Sequence, residues 1–263
     1  MERQQTMNCY TGFAAVYDIF MDNVPYEKWH AFLLELLQDE GIFEGLVLDL
    51  GCGTGNMTEL LANSGYDMIG IDNSQEMLAI AESKRQSIEQ DKERSILYLL
   101  QDMRTFELYG TVKAVISVCD SVNYITKPEE LVEVFRLVSN YLDPGGIFIF
   151  DFNTEYKYRE TLGDKTFAES REDCCFIWDN YYDEDDFMNE CELNLFVRDQ
   201  NDDKGRYHRF QEIHLQRSYT LLRVKNLLFL SGLEFVAAYD DFSKSEPANV
   251  SERILVVARE QRK

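Results

Sequence analysis

The chain has 263 residues, 45% of them hydrophobic, which suffices for one substantial core and is too short for two full-sized domains with linkers. Against 26 lysines and arginines stand 48 aspartates and glutamates, and the formal net charge of −22 repels phosphate backbones, so a nucleic-acid partner is disfavoured. The six cysteines (Cys9, Cys52, Cys119, Cys174, Cys175 and Cys191) form no CxxC pair, which argues against a zinc site or a disulfide scaffold and for reduced thiols.

In chain order, Met-Glu-Arg-Gln-Gln opens no apolar leader, and no stretch approaches the roughly 18 apolar residues of a membrane span, so a cytoplasmic location without a membrane partner is expected. Gly12 to Gln38 has a helical pattern rich in aromatic residues. From Leu46 short apolar runs alternate with amphipathic stretches, the pattern of βαβ units and a largely parallel sheet. The predicted strands are 46–50, 67–72, 95–101, 112–119 and 145–152. Between them fall helices over Asn56 to Asn63, Ser74 to Gln86 with an N-cap serine, and Pro128 to Tyr141 with proline in its first turn. Lys84-Arg85 on the second of these, like Arg206 to Arg209 further on, reads as an ordinary solvated face. Asp143-Pro144-Gly145-Gly146 supplies the turn into the fifth strand.

The rhythm breaks at 156–218. Cys174 to Tyr182, Asn189 to Val197 and Tyr207 to Leu215 alternate apolar and polar residues, with turns at Asp183 to Asp186 and Asn201 to Gly205, which predicts an inserted three-stranded antiparallel sheet. The final part returns to the first rhythm, with a helix over Tyr219 to Ser231 closed by Gly232 and two strands, Leu233 to Phe242 and Arg253 to Arg259, able to form a hairpin. The division expected is an N-terminal helical segment (1–40) capping the ligand site, a binding core (41–155), an inserted sheet acting as a lid (156–218) and a return to the core (219–263).

Val47 to Gly55, read Val-Leu-Asp-Leu-Gly-Cys-Gly-Thr-Gly, is an apolar strand running into a glycine-rich turn and then a helix. Glycine serves where the backbone takes positive φ and where a ligand approaches the main chain. At the end of the next strand Asp72 offers a carboxylate to the two hydroxyls of a ribose. Together they indicate an adenosine-containing cofactor. A dinucleotide fingerprint would read GxGxxG, whereas these glycines fall at 51, 53 and 55 with Asn56 in the place of the third fingerprint glycine, and Asp49 stands two residues before the first.

This DxGxGxG form resembles the first motif of class I S-adenosylmethionine-dependent methyltransferases, and further matches follow in order over about 110 residues. The resemblance implies an α/β fold with a Rossmann-like seven-stranded, mostly parallel sheet, helices on both faces and an antiparallel last strand, plus the inserted small sheet. It implies S-adenosyl-L-methionine as cofactor. Asp49, Gly51, Cys52, Gly53 and Gly55 would form the first motif, and Asp72 with Asn73 the ribose contact. Asp102 and Met103, in Gln101-Asp102-Met103, would meet the adenine, and Cys119, in Val118-Cys119-Asp120, would line the methionine arm with its backbone. The sulfurs of Cys52 and Cys119 themselves read as packing. Phe13 to Asp18 looks like the helix that in many members drops an aromatic ring over the cofactor, which makes Tyr17 a candidate contact, and Trp29 another.

By the same resemblance, the inserted sheet looks like the lid of small-molecule members such as deoxysugar N-methyltransferases and glycine N-methyltransferase. The expected reaction is methyl transfer to an N or O atom of a small molecule by a monomer or homodimer, governed by proximity and alignment because the sulfonium is already activated. A general base is needed only where the acceptor atom carries a proton. His208, His214, Tyr181 and Tyr182 are the candidates, with surface or core roles open to each, while His30 reads as packing. No catalytic residue is fixed by the sequence. The rival readings are an RNA (tRNA) methyltransferase, a non-catalytic S-adenosylmethionine-binding module, and an NAD(P)-dependent oxidoreductase, which the glycine spacing opposes.

Overall fold

The structure is a computed structural model that describes residues 14–88, 95–199, 205–261 and 263. Phe13, Cys9 and all of the Asn201 to Gly205 turn except Gly205 therefore lie outside the described residues. A seven-stranded sheet contains β1 (Gly45–Leu50), β2 (Tyr66–Asp72), β3 (Ile96–Leu100), β4 (Val112–Ser117), β5 (Leu142–Asn153), β10 (Leu233–Asp240) and β11 (Arg253–Glu260) in the order β10-β11-β5-β4-β1-β2-β3. β1 pairs in parallel with β2 and β4, β2 with β3, and β4 with β5, while β11 runs antiparallel to both β5 and β10. The expected fold class, with its antiparallel last strand, is what the chain adopts.

Both faces of the sheet are buried, and strand alternation assigns each residue its side. Val47 points to one face, where α2 (Tyr26–Asp39) and α3 (Asn56–Asn63) supply Leu33, Leu37 and Leu61. Leu48 and Leu50 point to the other, where α5 (Pro128–Tyr141) and α6 (Leu221–Ser231) supply Phe135, Val138 and Leu228. The segment after α5 does not enter β5 smoothly. Leu142 faces Val112 and Ile147 faces Ala114, so residues 143–146 are looped out of the ladder as the Asp-Pro-Gly-Gly turn.

The second sheet has four strands, β6 (Thr166–Ser170), β7 (Cys174–Asp183), β8 (Met188–Arg198) and β9 (Tyr207–Arg217), all antiparallel and in sequence order. The expectation of three strands missed β6, because a five-residue edge strand with only Phe167 and Ala168 apolar shows little periodicity. The N-terminal helical pattern is two helices, α1 (Ala14–Phe20) and α2, with Pro25 at the N-cap of the second. Val16 and Phe20 of α1 pack on Cys174, Leu193 and Leu195 of the second sheet, while Asp18 on the same helix bonds to Thr54, Asn56 and Lys84 of the main domain.

The glycine turn ends at Gly55, the N-cap of α3, with φ +79°. A Cβ there would lie 2.3 Å from the Tyr98 hydroxyl and 3.1 Å from the Ala81 Cβ. Positive φ and crowding together put the cost of Gly55→Ala at about 2 kcal/mol or more. A melting temperature lower by roughly 4–8 °C is expected, measured by calorimetry.

Candidate functional site

A cavity of about 380 Å³ opens at the carboxyl ends of β1, β2 and β4 and is closed over by α1, α2 and β9. Asp49, Gly51, Cys52, Gly53, Asp72, Asn73, Asp102, Met103, Cys119 and Tyr17 of the sequence-predicted set line it. Gly55 does not reach it, because its role in the turn is to pass beneath Tyr98. Trp29 is likewise absent from the lining. It is buried in the core, stacked on Phe242 with ring centroids 4.4 Å apart, as expected of an aromatic on the inward face of an amphipathic helix.

The glycine turn spends its amides on its own neighbours. Gly51 N and Cys52 N both donate to the Ile71 carbonyl (2.8 and 3.0 Å), and Gly55 N donates to the Cys52 carbonyl (2.9 Å). Gly53 N donates to Asp72 Oδ2 at 2.9 Å, and Ser74 N to Asp72 Oδ1 at 2.8 Å. Backbone N–H groups thus hold both Asp72 oxygens, with the Asn73 amide a third donor, and a carboxylate's lone pairs leave room for a ligand hydroxyl. Burial raises the Asp72 pKa, and the backbone hydrogen bonds work against that rise.

Asp49 is only 2% exposed and sits beneath the turn, where its Oδ2 accepts from Thr58 Oγ1 at 2.6 Å. No cation among the described residues pairs with it. Burial pushes its pKa up to about 7, with repulsion from Asp72 adding and the Thr58 bond subtracting. A buried carboxylate facing a cavity without a counter-charge suits a ligand that brings a cation.

Asp102 lines the cavity, but Arg104 grips its carboxylate through Nε (2.9 Å to Oδ1) and Nη2 (2.5 Å to Oδ2), holding its pKa low. Cys119 lines the cavity with φ +65°, and Asp120 follows with φ +53°. Two consecutive left-handed non-glycine residues are costly and persist only when surroundings hold them. Arg253 does so by pairing Asp120 Oδ1 at 2.9 Å and also binding the fully buried Asp151, while Gln216 Nε2 of β9 reaches Asp120 Oδ2 at 2.7 Å.

Sequence reasoning missed two groups here. Asp18 of α1 accepts from Thr54 Oγ1 (2.7 Å) and Asn56 Nδ2 (3.0 Å) and pairs with Lys84 Nζ (2.7 Å). Burial opposes ionisation of Asp18, yet these bonds outweigh it and lower its pKa. Its signal was its position in the N-terminal helix, one residue after Tyr17. Tyr26 is the second, lining the cavity beside Tyr17 and hydrogen-bonded to it. Burial raises both phenols, so they remain neutral donors at neutral pH.

Of the base candidates, only His214 lines the cavity. His208 is exposed beside Asp199, Tyr181 points to solvent, and Tyr182 is buried with its hydroxyl 2.8 Å from Ser218 Oγ. His30 is half-buried on α2 against Ser64 Oγ at 2.9 Å.

The Asp49 shift carries a stability consequence. Its folded pKa of about 7 lies above the unfolded value near 3.9, so the native state holds the extra proton and this contribution is lost as pH rises from about 4 to 7. Asp49→Asn removes that titration. The melting temperature of the variant relative to the natural chain should climb across that window and level off above about pH 8; a difference independent of pH would contradict it.

Residues 47–146 match the model of a methyltransferase domain. Over 254 residues the chain is 34% identical to the Bacillus subtilis (strain 168) protein named "Putative methyltransferase YqeM", covering 96% of this chain and 98% of that one. A dTDP-3-amino-3,4,6-trideoxy-alpha-D-glucopyranose N,N-dimethyltransferase of Streptomyces venezuelae is 27% identical over 153 residues, 57% of this chain and 60% of its own. The crystal structure of a S-adenosylmethionine-dependent methyltransferase from Clostridium acetobutylicum ATCC 824 is similar with a TM-score of 0.83 at 31% identity, over 97% of this chain and all of that one. With 34% and 31% identity to the Bacillus subtilis and Clostridium acetobutylicum proteins over nearly its whole length, the chain belongs to the family of S-adenosylmethionine-dependent methyltransferases.

Proposed function

We propose that this methyltransferase transfers a methyl group to an N or O atom of a small molecule, held between the adenosyl end of the cavity and β9. The observation that carries the reading is the cavity's division into two chemically distinct ends. One end gathers Asp49, the glycine turn, Asp72, Asn73 and Asp102, and the other Tyr124, Ile125, Ile213, His214 and Leu215.

The first end fits the cofactor. Asp72 would hold the ribose hydroxyls, the cavity face of Met103 and Asn73 the adenine, and Asp49 with the backbone at Cys119 the charged methionine arm. When bound, the cofactor supplies a methyl carbon on a sulfonium, to which the acceptor's lone pair bonds while the carbon–sulfur pair stays with sulfur. The protein's share is alignment and exclusion of water. Tyr17 and Tyr26 close the cavity from the N-terminal helices, and the inserted sheet, read as residues 156–218, contributes β9 as the lid wall.

The second end suits a compact acceptor with an apolar face. Tyr124 and Ile125 give that face, and the one lysine or arginine among the lining residues, Arg104, is already committed to Asp102 and Glu130. Together with the net charge of −22, this favours a small molecule over an RNA, whose phosphates would need unpaired cations. The amino sugar in the name of the Streptomyces venezuelae relative makes amino sugars the first compounds to try.

Two measurements test this. Titration calorimetry with S-adenosylmethionine should show Asp72→Ala weakening binding at least about 30-fold, since two charged hydrogen bonds are lost; an unchanged affinity would remove the ribose from this place. A metabolite panel scored by S-adenosylhomocysteine release should yield an amine or hydroxyl acceptor, and cofactor binding with no turnover across the panel would favour a binding module instead.

A further inference from the structure

The wall of the cavity opposite the cofactor end carries an arrangement that methyl transfer by alignment alone does not require. His214 and Glu212 occupy the same inward face of β9, both about 6% exposed, with Nε2 and Oε2 3.2 Å apart. The other ring nitrogen, Nδ1, lies 3.3 Å from the Tyr124 hydroxyl, and Tyr124 and His214 both line the cavity. The carboxylate lies at ion-pair distance from Nε2 without the alignment of a hydrogen bond, and its charge favours the neutral imidazole's hydrogen on that nitrogen, which leaves Nδ1 as the acceptor of the tyrosine hydroxyl.

The geometry is held rather than incidental. Tyr124 ends a short 3₁₀ turn (Ser121–Tyr124) whose neighbouring residue, the fully buried Asn123, donates through Nδ2 to the Asn153 carbonyl (3.1 Å) and to the Arg217 carbonyl (2.8 Å) and accepts from Asn153 N (2.9 Å). The turn is thus tied at once to β5 and to the end of the strand that bears His214. A buried histidine–carboxylate pair costs desolvation and adds little net stability, whereas hydrophobic residues would fill the place at no such cost.

We propose that Tyr124, His214 and Glu212 form a proton relay, so that the acceptor is a protic nucleophile, an amine or hydroxyl bearing hydrogen on the attacked atom. The proposal rests on the small-molecule methyl-transfer reading above. As the acceptor atom gains its bond to carbon, its proton passes to Tyr124 Oη. The hydroxyl's own proton passes to His214 Nδ1, and the Glu212 carboxylate stabilises the imidazolium formed. The cationic imidazolium later returns the proton to water, so the chain is unchanged after each turnover. Tyr124 is the group that touches the acceptor, and Glu212 is a positioning residue. The groups facing the histidine are Glu212 on its own strand, Tyr124 on the turn and Cys191, its partner across β8, whose thiol burial pushes up to about 12.

The chain has three histidines, so the imidazole nitrogens can be read directly in the full protein loaded with S-adenosylhomocysteine. In a ¹⁵N-histidine long-range correlation spectrum at pH 8, His214 should show the Nε2–H tautomer. Tyr124→Phe should shift Nδ1, and Glu212→Gln should release the tautomer preference. An Nδ1–H tautomer in the natural chain, or an Nδ1 resonance indifferent to Tyr124→Phe, would overturn the relay.

Turnover supplies the second arm, using the acceptor found in the panel. Tyr124→Phe and His214→Gln should each lower kcat about 100-fold or more with KM and cofactor affinity retained. Unchanged kcat, or an acceptor whose attacked atom bears no proton, such as a tertiary amine or a thioether, would also overturn it. Loss of cofactor binding by the natural chain would instead sink the donor-site reading, so the two failures are distinguishable.

Discussion

The site depends on where the amides of the glycine turn are spent. Gly51, Cys52 and Gly53 donate to the end of β2, two to the Ile71 carbonyl and one to Asp72, and Gly55 closes back on Cys52. In a dinucleotide or phosphate site such amides stay open for a pyrophosphate at the helix N-terminus. Here they instead fix a carboxylate at the strand tip, and the chain's own Asp18 lies beside the start of α3, bonded to Thr54 and Asn56. A cofactor with ribose hydroxyls and a cationic arm fits that arrangement; a pyrophosphate would meet acidic oxygens.

From this follows the placement of everything else around the cavity. Asp18 bonds α1 to the turn on one side, while Val16 and Phe20 on the same helix pack into the second sheet. β9 is tied independently to the core through Gln216 on Asp120 and through the Asn123 bridge to the Arg217 carbonyl. The strand lining the proposed acceptor end is therefore referenced to the strand tips at the opposite end of the cavity by bonds at Gln216 and Arg217. A displacement of β9 would have to break the Asp120 contact, which is also what steadies the left-handed backbone at Cys119.

Local pattern carried much of this into the sequence. The strands β1, β2 and β4 and the turn after β1 are legible because apolar runs, glycine and a following helix lie within one stretch of chain, and the acids at 49, 72 and 102 stand at fixed offsets from them. What escaped was set by distance in sequence. Trp29 looks like a ligand contact until Phe242, two hundred residues on, is seen stacked against it. Asp102 looks available until Arg104 is seen folded back onto it. Arg253, which holds the tip of β4, carries no signal at all in its own neighbourhood, because the residues it pairs with lie more than a hundred positions away. His214 was indistinguishable from His208 on strand pattern, both being even-numbered positions on β9, and only the proximity of the 3₁₀ turn separates a buried member from a solvated one.

The protein also bears two local costs at the cavity floor that sit on adjacent strands. Asp49 is a buried acid with which no cation among the described residues pairs, and Cys119 with Asp120 is backbone in a region that costs about 1–3 kcal/mol per residue. Neither is an accident of packing, since an asparagine at 49 and a glycine at 119 would relieve each. A ligand with a positive charge near both would gain from the first without the protein having to rearrange, because the oxygen is already desolvated and already aimed by Thr58. The second keeps the main chain at the end of β4 turned toward the same space, held there by Arg253 and Asp151 rather than by the ligand. The chain thus carries the expense of the cavity in its folded state, and a cationic ligand would meet charge and backbone that are set before it arrives.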